Sequence, residues 1–239
     1  MVLKIFQEGF NYGEDGDGNR LVVHLAGCNL RCPWCSNPEG LTADHAKTTD
    51  TDALFEKILS CRRLFIDGGG VTFTGGECTL QPAALFPLLC RLRAAGVHTA
   101  IETNGTFPYD AELFKNVDLL ICDMKHYDEK KLSAAVGNAI GTRKNVADYL
   151  AFHDRVWVRV PLVHGFNDGM EDAENFAAFF ASVPKKNAAF EFLPYHEYGR
   201  DKWRSLGMEY TVKDGFTAPD TVEKFEKVFR DFGLTTMRS

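Results

Sequence analysis

The chain has 239 residues, of which 45% are hydrophobic, so it is long enough to bury one large core. Its 27 basic and 33 acidic residues give a formal net charge of -6, which argues against an electrostatic grip on nucleic acid. No stretch approaches the roughly 20 apolar residues needed to cross a bilayer, and residues 1–20 contain no run of signal-peptide length, so we expect a cytoplasmic protein without a membrane partner.

Short β-branched runs predict six strands. In chain order they cover residues 21–25, 71–74, 99–102, 119–123, 156–160 and 189–193. Amphipathic segments of helical period separate most of them, with apolar stripes at residues 54–59 and 176–180. Strands that alternate with helices indicate right-handed βαβ units and a parallel sheet. We therefore expect an α/β fold, a single domain over residues 1–239 with a partial (β/α)6 parallel barrel; an open doubly wound sheet is the alternative.

The clearest predicted helix is the last one, at about residues 220–233. Asp220 stands three residues before Glu223, the arrangement of a capping box. Apolar side chains follow at helical spacing, and Gly233 can end the helix.

Unusual residues cluster just past the carboxyl ends of the predicted strands. The cysteine loop, residues 27–36, follows the first strand; residues 74–77, 102–105, 123–125 and 193–196 follow four of the others. In parallel α/β folds this edge is where ligands bind and chemistry occurs. We therefore expect five loops to converge on one site.

Cys28, Cys32 and Cys35 form a C-x3-C-x2-C arrangement. Three thiolates so spaced can hold three corners of a cubane 4Fe-4S cluster, and one iron is left open because no fourth cysteine is nearby. An open metal position can bind a cofactor or substrate directly. The alternatives are a structural zinc site completed by a distant Cys or His, and cysteines that merely pack. The total of seven cysteines suits reduced thiols better than a disulfide framework.

With Trp34 just before the last cysteine, the loop resembles the hallmark of radical S-adenosylmethionine (SAM) enzymes. Residues 68–77, 102–105, 123–125 and 193–199 look like motifs of the glycyl radical enzyme activating enzymes within that superfamily. These blocks run in order over roughly residues 13–210. The chain is similar to the short form of these activases, since it lacks the inserted ferredoxin-like region with eight further cysteines.

The resemblance implies a specific chemistry. In this family the open iron binds the amino and carboxylate groups of SAM, and one electron from the reduced cluster breaks its carbon–sulfur bond. The resulting 5'-deoxyadenosyl radical takes a hydrogen from a backbone glycine of a partner glycyl radical enzyme, for which pyruvate formate-lyase or a relative is the candidate. Since the short form has one cluster, an external donor such as flavodoxin or ferredoxin must supply the electron. We expect a monomer.

The resemblance also assigns roles to residues at the strand ends. Gly75, Gly76 and Glu77 match a motif at the methionyl end of SAM, where the carboxylate or nearby backbone would bind its ammonium group. Asp123 and Lys125 match a pair that contacts the cofactor or the incoming peptide loop, and they join the cysteines as candidate catalytic residues. The structural alternatives are a simple glycine turn and an exposed ion pair.

Glu102 stands where the family often has an aspartate, a position that can join Asp123 and main-chain carbonyls around a monovalent cation. Glutamate keeps the oxygen ligand but adds a methylene group. Without a cation, we expect Glu102 to hydrogen-bond the cofactor beside Asn104. Trp34 and His196 are also expected at the cofactor, and a polar cap at the strand end is the alternative for His196.

Strand alternation over residues 156–160 sends Trp157 and Arg159 into the barrel and the valines toward the helices. A guanidinium inside a barrel needs an anion, because an unpaired buried charge is costly. The SAM carboxylate and Glu191, which points inward from the neighbouring strand, are the two candidates. We expect Arg159 to meet Glu191 at least in part.

Two other functions stay open at this point. One is a radical SAM enzyme that acts on a small molecule such as a deazapurine precursor, and the other is a non-catalytic iron-sulfur electron-transfer protein. A pure electron carrier would normally close its cluster with four cysteines, and the block at residues 195–203, with Gly199 and Lys202, favours an activase. Residues 34–39 differ from the histidine-containing version of this motif in activases of pyruvate formate-lyase, which leaves the partner open.

Overall fold

The computed structural model describes all residues, 1–239. Its strands are β1 (Val2–Tyr12), β2 (Asn19–Leu25), β3 (Lys47–Asp50), β4 (Val71–Gly75), β5 (Thr99–Thr103), β6 (Leu119–Asp123), β7 (Val156–Leu162) and β8 (Ala188–Pro194). Its helices are α1 (Thr51–Ser60), α2 (Pro82–Ala94), α3 (Ala111–Phe114), α4 (Glu129–Val136), α5 (Thr142–Phe152), α6 (Met170–Ser182), α7 (Arg200–Ser205) and α8 (Thr221–Asp231). None of the helices combines the length and hydropathy that a membrane span requires.

The strands form one sheet in the order β3-β1-β2-β4-β5-β6-β7-β8. All six predicted strands are present, as β2 and β4 to β8, and each pairs in parallel with the next. A doubly wound sheet would reverse its strand order at a switch point, and no reversal occurs among these six. The chain therefore winds in one direction, as in a barrel, and the two end strands β3 and β8 do not pair to close it. The expected partial parallel barrel is confirmed.

Two strands, β1 and β3, are additional to the six predicted. β1 pairs antiparallel with both β2 and β3. The alternation of buried and exposed side chains is clean only at Leu3 and Ile5, because the register shifts between Ile5 and Gln7 and most of the following residues are exposed. A strand with so short an alternating run is hard to recognise from periodicity alone.

The two faces of the parallel strands differ in polarity. Side chains such as Phe73, Val158 and Phe190 face the helices and belong to a core cluster of 41 buried residues. Trp157 belongs instead to a small separate cluster with Ala100, Leu119 and Ile121, on the barrel side of the sheet. The predicted alternation of β7 is therefore confirmed, and the inner face has room for polar side chains.

The C-terminal helix α8 starts after Asp220, as predicted, but its capping box does not form. The Asp220 side chain makes no cap hydrogen bond, because its carboxylate pairs with Lys224 at 2.8 Å one turn further along. The helix ends at Asp231, slightly earlier than expected. Gly233 follows with a φ of +75°, a left-handed conformation that favours glycine and closes the helix.

Candidate functional site

A cavity of about 250 Å³ lies at the edge where the parallel strands end. Its walls come from the loops after β2, β4, β5, β6 and β8 and from the end of β7, so the expected convergence is confirmed. All but two of the predicted site residues line it: Cys28, Cys32, Trp34, Cys35, Gly75, Gly76, Glu102, Asn104, Asp123, Lys125 and His196. Glu77 and Arg159 do not line it.

The cysteine loop presents three free thiols to this cavity. Cys32 is buried, whereas Cys28 and Cys35 are half-buried. The amide of Cys35 donates to the carbonyl of Cys32 at 3.1 Å, which forms a tight turn between the last two thiols. The backbone amide of Leu30 and the side-chain amide of Asn104 lie 3.5 and 3.8 Å from the sulfur of Cys28. Both amides can donate weak hydrogen bonds to a thiolate there.

The protonation of these thiols tests whether the site suits a metal cluster. Burial raises the pKa of Cys32 to about 12 and the pKa of Cys35 to about 11, and it also raises the pKa of Cys28. Buried thiols of this kind keep their protons near neutral pH unless a cation takes the protons' place. A donor set of three thiols with no disulfide fits an iron-sulfur cluster, whose cysteines bind separate iron atoms.

The side chains of the protein are not arranged around a position for a single metal ion. No set of three or more His, Cys, Asp and Glu side chains is arranged to hold one. This includes the combination of these cysteines with a distant Cys or His that the zinc alternative requires.

The short helix α7 packs against the cysteine loop. The indole nitrogen of Trp203 donates to the carbonyl oxygen of Cys35 at 2.9 Å. Lys202 donates to the Oδ1 atom of Asn37 at 2.8 Å and also contacts Glu39 at 3.1 Å. At Gly199, just before the helix, a Cβ atom would overlap the carbonyl oxygen of Cys35. The sequence motif drew attention to Gly199 and Lys202, but only the structure shows that Gly199 contacts the cysteine loop and Lys202 the residues just after it. Trp203 was not predicted as a site residue.

The double glycine brings the end of β4 against the cysteine loop. Gly75 has a φ of +127°, in the left-handed region, and a Cβ atom on it would overlap the backbone of Leu25. A Cβ atom on Gly76 would overlap the carbonyl oxygens of Gly27 and Gly40. Both positions therefore require glycine, and the backbone that results lines the cavity.

Glu77 lies behind the cavity wall and is only 1% exposed. Its carboxylate accepts hydrogen bonds from the amide and hydroxyl of Thr79, the hydroxyl of Thr103 and the amide of Asn104, at 2.6–3.1 Å. Burial raises the pKa of Glu77, although these hydrogen bonds oppose the shift. This carboxylate is not free for the expected contact with the SAM ammonium, because its oxygens already accept hydrogen bonds from the loops after β4 and β5. The backbone of Gly75 and Gly76 lines the cavity and is the other predicted partner for the SAM ammonium.

Asp123 and Lys125 form an ion pair in the cavity wall, with Oδ2 and Nζ 2.5 Å apart. Lys125 is buried, so the pair is not the exposed one considered above. Burial opposes the charge on Lys125, but Asp123 and the neighbouring thiols outweigh it and raise the pKa of Lys125 above its ordinary value. The side chain of Asn167 also donates to the carbonyl of Lys125 at 2.8 Å. A fixed positive charge therefore stands beside the cysteines.

Arg159 lies on the inner face of the sheet, 4% exposed, and does not line the cavity. Its Nε atom donates to Glu191 at 2.9 Å, as expected, and its Nη1 atom donates to Glu102 at 2.8 Å. Its Nη2 atom donates to the carbonyl of Glu14. The predicted contact with the SAM carboxylate is therefore replaced by contacts within the protein.

Two aromatic rings in the cavity wall, Trp34 and His196, each pack against a neighbouring aromatic side chain. Trp34 packs on Phe166 with ring centroids 5.0 Å apart, and His196 stacks on Tyr198 at 4.2 Å. Burial lowers the pKa of His196, so the imidazole is neutral near pH 7. Lining residues that the sequence did not single out are Leu30, Ser36, Asn37, Leu41, Thr74, Thr103, Pro161, Val163, Leu193, Pro194 and Tyr195. The motif at residues 193–199 was the only sequence signal for the last three.

Comparisons with known proteins agree with this geometry. A model of the radical SAM superfamily matches residues 22–179. The chain is 33% identical over 207 residues to a pyruvate formate-lyase-activating enzyme of Clostridium pasteurianum, covering 84% of this chain and 85% of that one. It is 34% identical over 217 residues to the enzyme of that name from Staphylococcus aureus strain USA300, covering 86% of both chains. A crystal structure of a domain of pyruvate-formate lyase-activating enzyme from Bacteroides vulgatus shares 26% identity and a TM-score of 0.57, over 71% of this chain and 98% of that one.

Proposed function

Since the chain belongs to the radical SAM superfamily and to its activating enzymes, we propose that it installs a radical on a backbone glycine of a partner protein. The partner is a glycyl radical enzyme, and pyruvate formate-lyase is the first candidate because the relatives are named for it. The observation that carries the proposal is the convergence of three free thiols, a glycine backbone and a buried Asp123–Lys125 pair on one cavity.

Cys28, Cys32 and Cys35 would hold a 4Fe-4S cluster through three of its irons. When bound, the cluster and SAM supply one-electron cleavage of a carbon–sulfur bond, which yields methionine and a 5'-deoxyadenosyl radical that removes the glycine hydrogen. The chain provides no fourth cysteine in this loop, so its donor set leaves one iron for SAM.

The other residues of the cavity create the environment for that reaction. Lys125 places a positive charge near the thiolates and offsets their negative charge in a poorly hydrated site, and Asp123 holds it there. The neutral His196 ring adds no positive charge that would repel the sulfonium of SAM. Trp34 and Phe166 pack together beside the cysteines and make that side of the site apolar.

We also place the activity in a single domain, residues 1–239, that acts as a cytoplasmic monomer. One continuous sheet and one main core support the single domain. The electron would come from flavodoxin or ferredoxin, since the chain has only one cluster motif. The glycine loop of the partner would enter from the open side of the cavity.

The test is anaerobic reconstitution with iron and sulfide, followed by electron paramagnetic resonance with synthetic peptides from candidate glycyl loops. The proposal expects a glycyl radical signal and 5'-deoxyadenosine in equal amounts, and neither product above background with a peptide whose glycine is replaced by alanine. Turnover of a small molecule with no peptide present would instead identify a small-molecule radical SAM enzyme. A reduced cluster that leaves SAM intact would identify an electron-transfer protein.

A further inference from the structure

The family resemblance places a monovalent cation between Glu102 and Asp123, but the structure pairs both carboxylates with basic side chains of the chain itself. One oxygen of Glu102 accepts from Arg159 at 2.8 Å, and the other accepts from the hydroxyl of Thr74 at 2.8 Å. Asp123 accepts from Lys125 at 2.5 Å. Three of the four carboxylate oxygens are therefore already bound by donors, so the pair does not fit a cation site.

The sheet register explains how Arg159 reaches this position. Arg159 on β7 is the register partner of Asp123 on β6, and Glu102 lies one strand further, on β5. The side chain of Arg159 extends from β7 across β6 to the carboxylate of Glu102. Glu191, its register partner on β8, accepts from the Nε atom, and the carbonyl of Glu14 accepts from Nη2. Three segments of the chain thus fix the guanidinium in place.

The replacement of aspartate by glutamate is part of the same arrangement. The additional methylene extends the carboxylate by about 1.5 Å, toward a guanidinium on the second strand over. Burial disfavours the ionised carboxyl of Glu102, but Arg159 and Thr74 outweigh burial and lower the pKa of Glu102. Glu102 is 20% exposed and lines the cavity. A carboxylate that has lost most of its water is stabilised by a positive partner, and arginine supplies one that cannot be lost by deprotonation or diffusion.

We propose that Arg159 takes the place of the monovalent cation in this protein, so that its SAM site is complete without Na⁺ or K⁺. The inference rests on the proposed SAM-binding function. It makes Arg159 a positioning residue, which acts through Glu102 and the β5 loop and does not touch the cofactor.

The first experiment uses the anaerobically reconstituted wild-type protein in NaCl, KCl or N-methylglucamine chloride at equal ionic strength. We expect the Kd for SAM and the thermal midpoint of unfolding to be the same in all three, with Kd constant within about twofold. Sodium-23 NMR should show no site from which K⁺ displaces Na⁺. A loss of SAM affinity of about tenfold or more in N-methylglucamine, or a saturable sodium site, would overturn the proposal.

The second experiment breaks the contact between Arg159 and Glu102 in two ways. Glu102→Asp withdraws the carboxylate from Arg159, and Arg159→Gln keeps a hydrogen-bond donor without the charge. In both variants SAM affinity should become about tenfold weaker in N-methylglucamine than in KCl. Arg155→Gln is the matched control, because Arg155 lies just before β7, pairs with Asp17 at 2.5 Å and is 36% exposed.

The outcomes separate this inference from the proposed function. Two folded variants with no cation dependence would contradict the role of Arg159, even with normal SAM binding. Should Arg159→Gln fail to fold, the Glu102→Asp variant and the comparison of salts with the wild-type protein still test whether Arg159 replaces the cation. If no preparation binds SAM in any buffer, the proposed function fails, while the sodium NMR and the thermal midpoint still report whether the wild-type protein holds a cation.

Discussion

Trp203 donates a hydrogen bond from its indole nitrogen to the main-chain oxygen of Cys35, across 168 positions of sequence. The bond joins helix α7 to the loop that carries the three cysteines. Its donor is a rigid aromatic side chain that is itself buried. The position of Cys35, a proposed cluster ligand, therefore depends on helix α7, which follows the last strand β8.

Replacing Trp203 with Phe keeps most of the ring but leaves the Cys35 carbonyl without its donor. We expect a loss of about 1–2 kcal/mol in the free energy of unfolding, and faster loss of iron from the reconstituted protein when a chelator is added. Urea unfolding and iron release followed by absorbance measure the two effects. Trp157→Phe is the control, since Trp157 packs in a separate cluster inside the barrel. Equal rates of iron release from the two variants would refute a specific role for Trp203.

Replacing Gly199 with Ala tests the close approach of α7 to the same loop. Gly199 has an ordinary φ of -80°, so backbone strain does not enter, and the new methyl group would meet the Cys35 carbonyl. Overpacking of this kind costs about 1–3 kcal/mol, and the iron bound per chain after reconstitution should fall. Gly9→Ala is the control, because nothing lies within 4 Å of a Cβ atom there. Full iron loading of Gly199→Ala would show that the loop can shift freely.

Replacing Cys32 with Ala removes a buried thiol from the cavity wall. A cluster left with two cysteine ligands should not assemble, so the iron-sulfur absorbance and the paramagnetic signal of the reduced protein should be lost. The control is Cys90→Ala, at an exposed cysteine outside the cavity. A full iron complement in Cys32→Ala would contradict the ligand assignment.

Replacing Glu77 with Gln changes a carboxylate that receives four hydrogen bonds. One oxygen becomes an NH₂ group that faces donors, so we expect the free energy of unfolding to fall by about 2–4 kcal/mol. SAM should also bind more weakly, because the backbone amide of Asn104 loses the carboxylate that accepts its hydrogen bond and holds the β5 loop in place. Both are measured against Glu56→Gln, at an exposed site on α1. Unchanged stability with lost SAM binding would point instead to a direct contact between Glu77 and the cofactor.

His126 predicts how stability depends on pH. Burial, followed by the nearby Lys131, lowers the pKa of His126, and its Nδ1 atom accepts from the amide of Asp128. The folded protein therefore binds this proton less readily than the unfolded chain, so the stabilisation is present above the ordinary histidine pKa of about 6.5 and is lost as pH falls below it.

We expect the free energy of unfolding to decrease from pH 7.5 to pH 5.5, and to decrease less steeply in His126→Gln. The comparison is urea unfolding at several pH values, with His45→Gln, at an exposed histidine, as the control. Parallel pH profiles for wild type and His126→Gln would exclude His126 as the titrating group.

Local patterns in the sequence were enough to predict much of the fold and of the candidate site. Runs of β-branched residues predicted the six parallel strands, and cysteine spacing predicted a loop with three thiols facing one cavity. The carboxyl ends of parallel strands must share one edge, so even the convergence of distant motifs followed from strand order. β1 was missed because a register shift after Ile5 interrupts its alternation.

Apart from the Arg159–Glu191 pair, which strand alternation predicted, the partners of the charged side chains at the site were decided only by the tertiary structure. Glu77 stands in a motif at the end of β4 and Arg159 lies within β7, yet Glu77 binds the loop around Asn104, and Arg159 pairs with Glu102 across 57 positions. Helical and strand periods report on neighbours along the chain. Strand alternation was enough to place Glu191 near Arg159, but the contact between Arg159 and Glu102 depends on distances across the barrel, which no local pattern encodes.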